Sequence, residues 1–157
     1  ELYIEEYQRR YNLDFTILRY GTLYGPRADA TNSVYRYLKS ALTEQRITCP
    51  GTGHEVRDYI HVRDASRLSV EILKPDFCNQ HIIISGHHPI KFLDMVNVVQ
   101  EIIGKKIKVE FSKSQSAAHY DYTPYSFSPK VGNKLTGRLY VDMGQGLLEC
   151  LNELHQR

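Results

Sequence analysis

Residues 19–27 read RYGTLYGPR and follow the apolar run Phe15-Thr16-Ile17-Leu18. Glycines at 21 and 25 let a backbone approach a flat ring or a phosphate, and Pro26 stiffens the exit. Tyr20 and Tyr24 offer ring faces and hydroxyls beside them. In an open α/β sheet, a loop of this kind at a strand's C-terminal end is where a ligand sits. An ordinary turn has the same composition, so these residues leave both readings open. His87 and His88 have the residue type of a metal site. Neighbours in extended chain point to opposite sides, however, and solvated loop histidines are the better expectation. Cys49 has no basic neighbour in sequence to lower its pKa, which favours a buried, inert thiol. His61, inside an apolar stretch, reads as core or as a support for other groups.

The elements that must position these residues follow from hydrophobic spacing. Tyr3, Tyr7 and Tyr11 recur at helical intervals, with Glu5 and Glu6 ahead of Arg9 and Arg10, so the chain starts in a helix over residues 1–13. No capping residue precedes Glu1, and this raises the expectation of further chain upstream. A β-branched and aromatic strand is expected at 15–20, then a Gly/Pro loop at 21–31 ending near a possible cap at Asn32. An amphipathic helix follows at 33–45, with Val34, Leu38, Ala41 and Leu42 facing inward. Turns at Gly51 and Gly53 lead into a strand at 57–62, and Asp64 is a candidate cap for a helix at 63–73. A buried strand at 81–85 and a loop at 86–89 precede the clearest helix, 91–104, which stops at Gly104. The pattern closes with a strand at 106–111, a polar, tyrosine-rich loop at 112–134 and a helix at 143–156. Helices alternating with short strands indicate a layered α/β architecture, at least partly a parallel sheet.

Composition narrows the functional classes. The 157 residues amount to one compact domain, and 20 Lys+Arg against 18 Asp+Glu leave no global basic field of the kind nucleic-acid binders carry. The short run GKKIKVEFSK alternates charged and apolar residues, as the outer face of a strand does. Cys49, Cys78 and Cys150 form neither an even disulfide set nor a metal-ligand pair, which fits a reducing, cytoplasmic setting without a bound metal. No apolar run approaches the ~18 residues of a membrane helix.

Two linked stretches identify a family resemblance. LRYGTLYGPR, residues 18–27, and GTGHEVRDYIHVRDA, residues 51–65, together resemble the NAD-dependent epimerase/dehydratase family of the extended short-chain dehydrogenase/reductase superfamily. The first keeps seven of ten positions of the family's usual Leu-Arg-Tyr-Phe-Asn-Val-Tyr-Gly-Pro-Arg. Glu1, Tyr7, Arg9, Arg10 and Tyr11 fit the family's preceding helix, and GQGLLE near the end is similar to its closing helix.

The resemblance implies an α/β fold: the C-terminal part of an extended Rossmann-type subunit, lacking the N-terminal dinucleotide-binding half. Residues 1–157 would then be one unit, the last Rossmann elements plus a nucleotide-sugar-binding subdomain. Neither a GxxGxxG loop nor the catalytic Tyr-x-x-x-Lys is present, and the family's lysine would fall about four residues before Glu1. Tyr35 and Lys39 match that spacing, but on the later helix after the Gly-Pro loop, so a chance match is the preferred reading and a catalytic pair the alternative. No catalytic residue is therefore expected in the chain. NAD or NADP would be bound mainly by the missing half, and a nucleotide-sugar by this one, with the full-length protein a homodimer. Tyr20 and Gly21 resemble the pair beside the nicotinamide. Arg57 resembles the arginine on the diphosphate, a role its planar guanidinium suits. Thr22 and Asn32 fall at substrate-contact positions, although Asn32 as a plain N-cap fits equally. Thr48 and Cys49 belong to the stretch bordering the base. Gly21 replaces the family's usual phenylalanine and Thr22 an asparagine, which leaves the sugar open. The alternative is a noncatalytic nucleotide- or protein-binding α/β module.

Overall fold

The computed structural model describes residues 1–112, 126–127 and 130–156. Helix α1 (Leu2–Tyr11) ends at Asn12, whose left-handed φ of 53° stops it. No residue of α1 is buried. Polar contacts tie it to the sheet instead, through Arg19 on Glu1 at 2.6 Å and His81 on Glu5 at 2.9 Å.

Strand β1 (Thr16–Tyr20) pairs in parallel with β6 (Gln80–Ile84), from Thr16 opposite Gln80 to Tyr20 opposite Ile84. On the other side of β6 lies β11 (Asn133–Leu135), also parallel. Ile82 and Ile84 of β6 pack with Ile60 and with Ala65, Leu68 and Ile72, contributed by α3 (Val62–Glu71) and its end.

The chain leaves this sheet at Gly21. The Gly21 N–H still donates to Ile84 O at 2.8 Å, whereas the Thr22 N–H donates to Asp58 O at 2.7 Å. From there β2 (Thr22–Tyr24) runs parallel to β5 (Tyr59–His61). Residues 22–24 are thus a strand, not part of the expected loop: a glycine that reads as a breaker is here the point where the chain changes sheets.

The second and larger core gathers α2 (Ser33–Glu44), β3 (Arg46–Pro50), α4 (Phe92–Ile103), β8 (Lys108–Ser112) and α5 (Met143–Gln156). Val34, Leu38 and Ala41 of α2 meet Met95, Val96 and Val99 of α4 and Leu147 and Leu151 of α5. Strands β3 and β8 are parallel, placing Thr48 opposite Glu110 and Cys49 opposite Phe111. The two-residue strands β4 (Val56–Arg57) and β7 (Ile90–Lys91) are antiparallel, with Arg57 opposite Ile90. Gly104 ends α4 at φ 67°, as its sequence position indicates.

Two further expectations are corrected. His61, not Asp64, caps α3: its Nδ1 accepts from the Arg63 N–H at 3.3 Å. Asp64 lies in the first turn, where its buried carboxylate accepts from the Val141 N–H at 2.8 Å and pairs with Arg67 at 2.5 Å. The expected tyrosine-rich loop falls mostly outside the described residues. Within it, β9 (Ser126–Phe127) pairs antiparallel with β10 (Lys130–Val131), and Asn133–Leu135 joins the main sheet.

Candidate substrate-binding site

Where β2, α2, β3 and β4 converge they enclose a cavity of about 280 Å³. Thr22 enters it from β2, Thr48 and Cys49 from β3, and Arg57 from β4. Sequence reasoning therefore picked out four residues that the fold brings together from three separate strands. Local geometry explains their placement. Thr22 is opposite Tyr59 in the β2–β5 pair, only two residues beyond Arg57.

Arg57 is half-buried, and its Nη1 donates only to the adjacent Val56 O at 2.9 Å. Both nearby carboxylates are engaged elsewhere. Asp58 Oδ1 pairs with Lys134 Nζ at 3.2 Å. Glu55 Oε1 accepts from the Thr52 N–H at 2.6 Å and the Thr52 hydroxyl at 3.1 Å, and Oε2 accepts from the Gly53 N–H at 2.8 Å. Among the described residues no carboxylate lies within ion-pair distance of Arg57.

The remaining lining was not legible beforehand. Ser33, Arg36 and Tyr37 come from α2 at i, i+3 and i+4, a spacing that puts them on one helical face. Tyr59 and Phe92 complete an aromatic wall with Tyr37, whose ring meets Phe92 edge-on at 5.1 Å. Glu55 shapes the floor by tying down its own loop. The signal available in the sequence was the polar and aromatic face of α2 opposite its apolar stripe.

The ionisation state follows from burial. Burial pushes the Tyr59 phenol up to about 12 and the Tyr37 phenol higher still. It also raises the Cys49 thiol, against a weaker opposing contact from the Tyr37 hydroxyl 3.8 Å away. These groups are neutral at pH 7. Burial also raises the Glu55 carboxyl, but the Thr52 and Gly53 hydrogen bonds outweigh it and hold the group below the usual range. The cavity thus presents guanidinium charge and neutral hydroxyl groups, the chemistry of an anion site.

The other expected site residues lie elsewhere. Asn32 uses both ends of its amide within the fold, accepting from the Tyr35 N–H at 3.1 Å and donating to Leu23 O at 2.8 Å. It is a helix cap and does not line the Arg57 cavity. The Tyr20 hydroxyl is 2.6 Å from Ser69 Oγ, and Gly21 is buried at the sheet crossing. Neither lines the cavity. His87 is not a solvated loop histidine: its Nε2 is 2.8 Å from Gly137 O, and its ring packs on Tyr140 at 4.1 Å.

A dinucleotide requires glycine backbone left open to its phosphates. Here a Cβ on Gly25 would strike Val62, one on Gly51 the Glu55 carboxylate, and one on Gly53 the Phe111 ring. These three glycines pack against the chain's own side chains. The described residues contain no group of three or more His, Cys, Asp or Glu placed to hold a metal. No described helix is long and apolar enough to cross a membrane.

The sequence and the fold both recur in known proteins. The chain is 32% identical over 111 residues to UDP-glucuronate 4-epimerase of Thermodesulfobacterium geofontis, covering 71% of this chain and 34% of that protein. It superimposes with a TM-score of 0.83 and 25% identity on UDP-glucuronic acid 4-epimerase of Bacillus cereus bound to NAD and a fluorinated UDP-glucuronic acid. That match covers 98% of this chain and 49% of the other. UDP-glucose 4-epimerase of Thermotoga maritima shares the fold, with a TM-score of 0.79 at 20% identity over 99% of this chain and 50% of that one. The chain thus spans about a third of the first curated relative and about half of the solved structures. The architecture is that of the Rossmann-type epimerases. The model of the NAD dependent epimerase/dehydratase family matches residues 1–84, more than half of the sequence, and the chain belongs to that family.

Proposed function

We propose that this chain is the substrate-binding portion of an NAD-dependent nucleotide-sugar epimerase or dehydratase, an isomerase or lyase, and that it does not turn over substrate by itself. The observation that carries this reading is Arg57, a half-buried guanidinium on a cavity wall with no acidic partner among the described residues. An unpaired cation in such a place is costly unless a ligand completes it, and a diphosphate does so through paired N–H···O bonds.

On this reading Arg57 holds the diphosphate, Thr48 and Cys49 border the base, and Thr22 meets the sugar. Ser33, which lines the cavity, takes the substrate position that Asn32 gives up to capping. Tyr20 and Gly21, at the end of β1 and outside the cavity, belong to the cofactor side. The two separate cores support one unit built from the last Rossmann elements and a nucleotide-sugar subdomain. NAD would be held by polypeptide beyond the described residues, where it would accept and return a hydride. The full-length protein would be a cytoplasmic homodimer. Exposed Leu2, Tyr3, Ile4 and Tyr7 on α1 favour further polypeptide covering that helix.

The test is calorimetric titration of the full-length protein with UDP-sugars. Arg57→Ala is expected to weaken binding about ten- to a hundredfold, the loss of a hydrogen bond to a charged group. Arg57→Lys should recover part of it, because an ammonium keeps the charge but not the planar fork. Unchanged affinity in Arg57→Ala would refute the reading.

A further inference from the structure

The geometry points to a second phosphate-binding residue in the same cavity: Arg36 of α2, acting with Arg57 so that the site is selective for nucleoside diphosphates over monophosphates. This inference rests on the nucleotide-sugar reading above. Arg36 lies one turn into α2, and its side chain leans back toward the helix N-terminus, as helical side chains do. There its Nη1 donates to Ala30 O and to Thr31 O, both at 2.8 Å. These two bonds anchor one corner of the guanidinium. Among the described residues Nε and Nη2 make no hydrogen bond, and Arg36 has no ion-pair partner. A side chain already held by one nitrogen loses less freedom when its other nitrogens bind a ligand.

Charge at the site supports the same conclusion. Two guanidiniums, Arg36 and Arg57, line one cavity from different elements. The only carboxylate among its lining residues, Glu55, has both oxygens engaged by the backbone of its own loop. Tyr37 and Tyr59 remain protonated near neutrality. Nothing inside the cavity therefore neutralises either arginine, and two like charges facing one space repel. A single phosphate satisfies one guanidinium fork; a diphosphate offers each fork its own pair of oxygens. A phosphate monoester already carries close to two negative charges at neutral pH, so the discrimination rests on geometry: one set of phosphate oxygens against two separate forks.

The experiment is calorimetric titration of the full-length protein with uridine, UMP, UDP, UDP-glucose and UDP-glucuronate. Arg36→Gln, Arg36→Lys and Arg57→Gln are compared with the wild type, and thermal melts check that each variant is folded. Arg36→Gln is expected to weaken UDP about tenfold and UMP hardly at all, compressing the diphosphate-to-monophosphate ratio. Arg36→Lys should restore part of the UDP affinity while leaving UMP unchanged, whereas loss of a purely structural tether to Ala30 and Thr31 would weaken both nucleotides together. If Arg57→Gln weakens UDP but Arg36→Gln does not, the inference fails and the functional reading stands. A loss in Arg36→Gln confined to UDP-glucuronate would assign Arg36 to a sugar carboxylate and overturn the diphosphate role. Equal losses for uridine, UMP and UDP would indicate a deformed loop and overturn it as well. A folded wild type that binds no UDP would overturn both.

Discussion

Replacing Glu55 by alanine should loosen the loop that carries Arg57, and the cost can be worked out from the contacts. The carboxylate accepts three hydrogen bonds, two from Thr52 and one from Gly53. Thr52 is exposed, so its N–H and hydroxyl can return to water, and their loss counts for little. Gly53 is buried, and its N–H would be left without an acceptor. An orphaned buried donor costs about 1–3 kcal/mol, so about 2 kcal/mol is expected overall. For a chain of this size that corresponds to a fall in Tm of roughly 4–8 °C. Glu55→Gln keeps one acceptor oxygen of two and should fall about halfway. The pH dependence adds a second signature. The folded carboxyl lies below the ordinary glutamate value of 4.5, so its stabilisation is complete above that pH and disappears as pH falls through the folded value. The glutamine variant lacks this component. Calorimetric melts at pH 7.5 and 4 provide the assay. If Glu55→Ala melted within 1 °C of wild type at pH 7.5, the loop would not depend on the carboxylate and the reasoning would fail.

Gly51→Ala should destabilise by more than about 1 kcal/mol, because φ is +111° and the new methyl would strike the Glu55 carboxylate; a melt equal to wild type would show that the loop relaxes freely. Burial depresses the His61 imidazole below the ordinary histidine value of 6.5, a shift only partly opposed by Glu149, so the unfolded chain takes up a proton that the folded one refuses. Urea unfolding should therefore show lower stability at pH 5.5 than at 7.5, by at most ~1.4 kcal/mol per pH unit, with a flatter slope in His61→Asn, which keeps a capping acceptor. Limited alkylation with iodoacetamide, read by mass spectrometry, should label exposed Cys78 first. Cys49 is buried with a raised pKa, and the buried Cys150 thiol is pushed up to about 11, so early labelling of either would contradict the burial argument.

Local periodicity was enough to locate the long elements. Val34, Leu38 and Ala41 of the α2 stripe, the run at β6, and Phe92, Val96 and Val99 of the α4 stripe are buried as their spacing indicates, while Leu42 and Ile103 at the helix ends are partly buried. This works because a strand or helix must bury one face whatever it packs against. Short elements were hidden for the opposite reason. Strand β2 has three residues and β4 and β7 two each, too few to show a period, and β11 exists only because β6 offers it an edge.

The same division runs through the site. The resemblance of two short stretches to the family's motifs singled out Thr22, Thr48, Cys49 and Arg57. Only the tertiary structure separated Asn32 from them, by spending its amide on the α2 cap and on Leu23. Only the tertiary structure brought Arg36 to the same cavity as Arg57, from an element far from it in the chain. And Arg57 became an open cation, not half of a surface ion pair, because Glu55 turns to its own loop and Asp58 to Lys134, 76 residues away. Pairing of charges depends on distance in space, and that distance is set by packing among elements far apart in sequence.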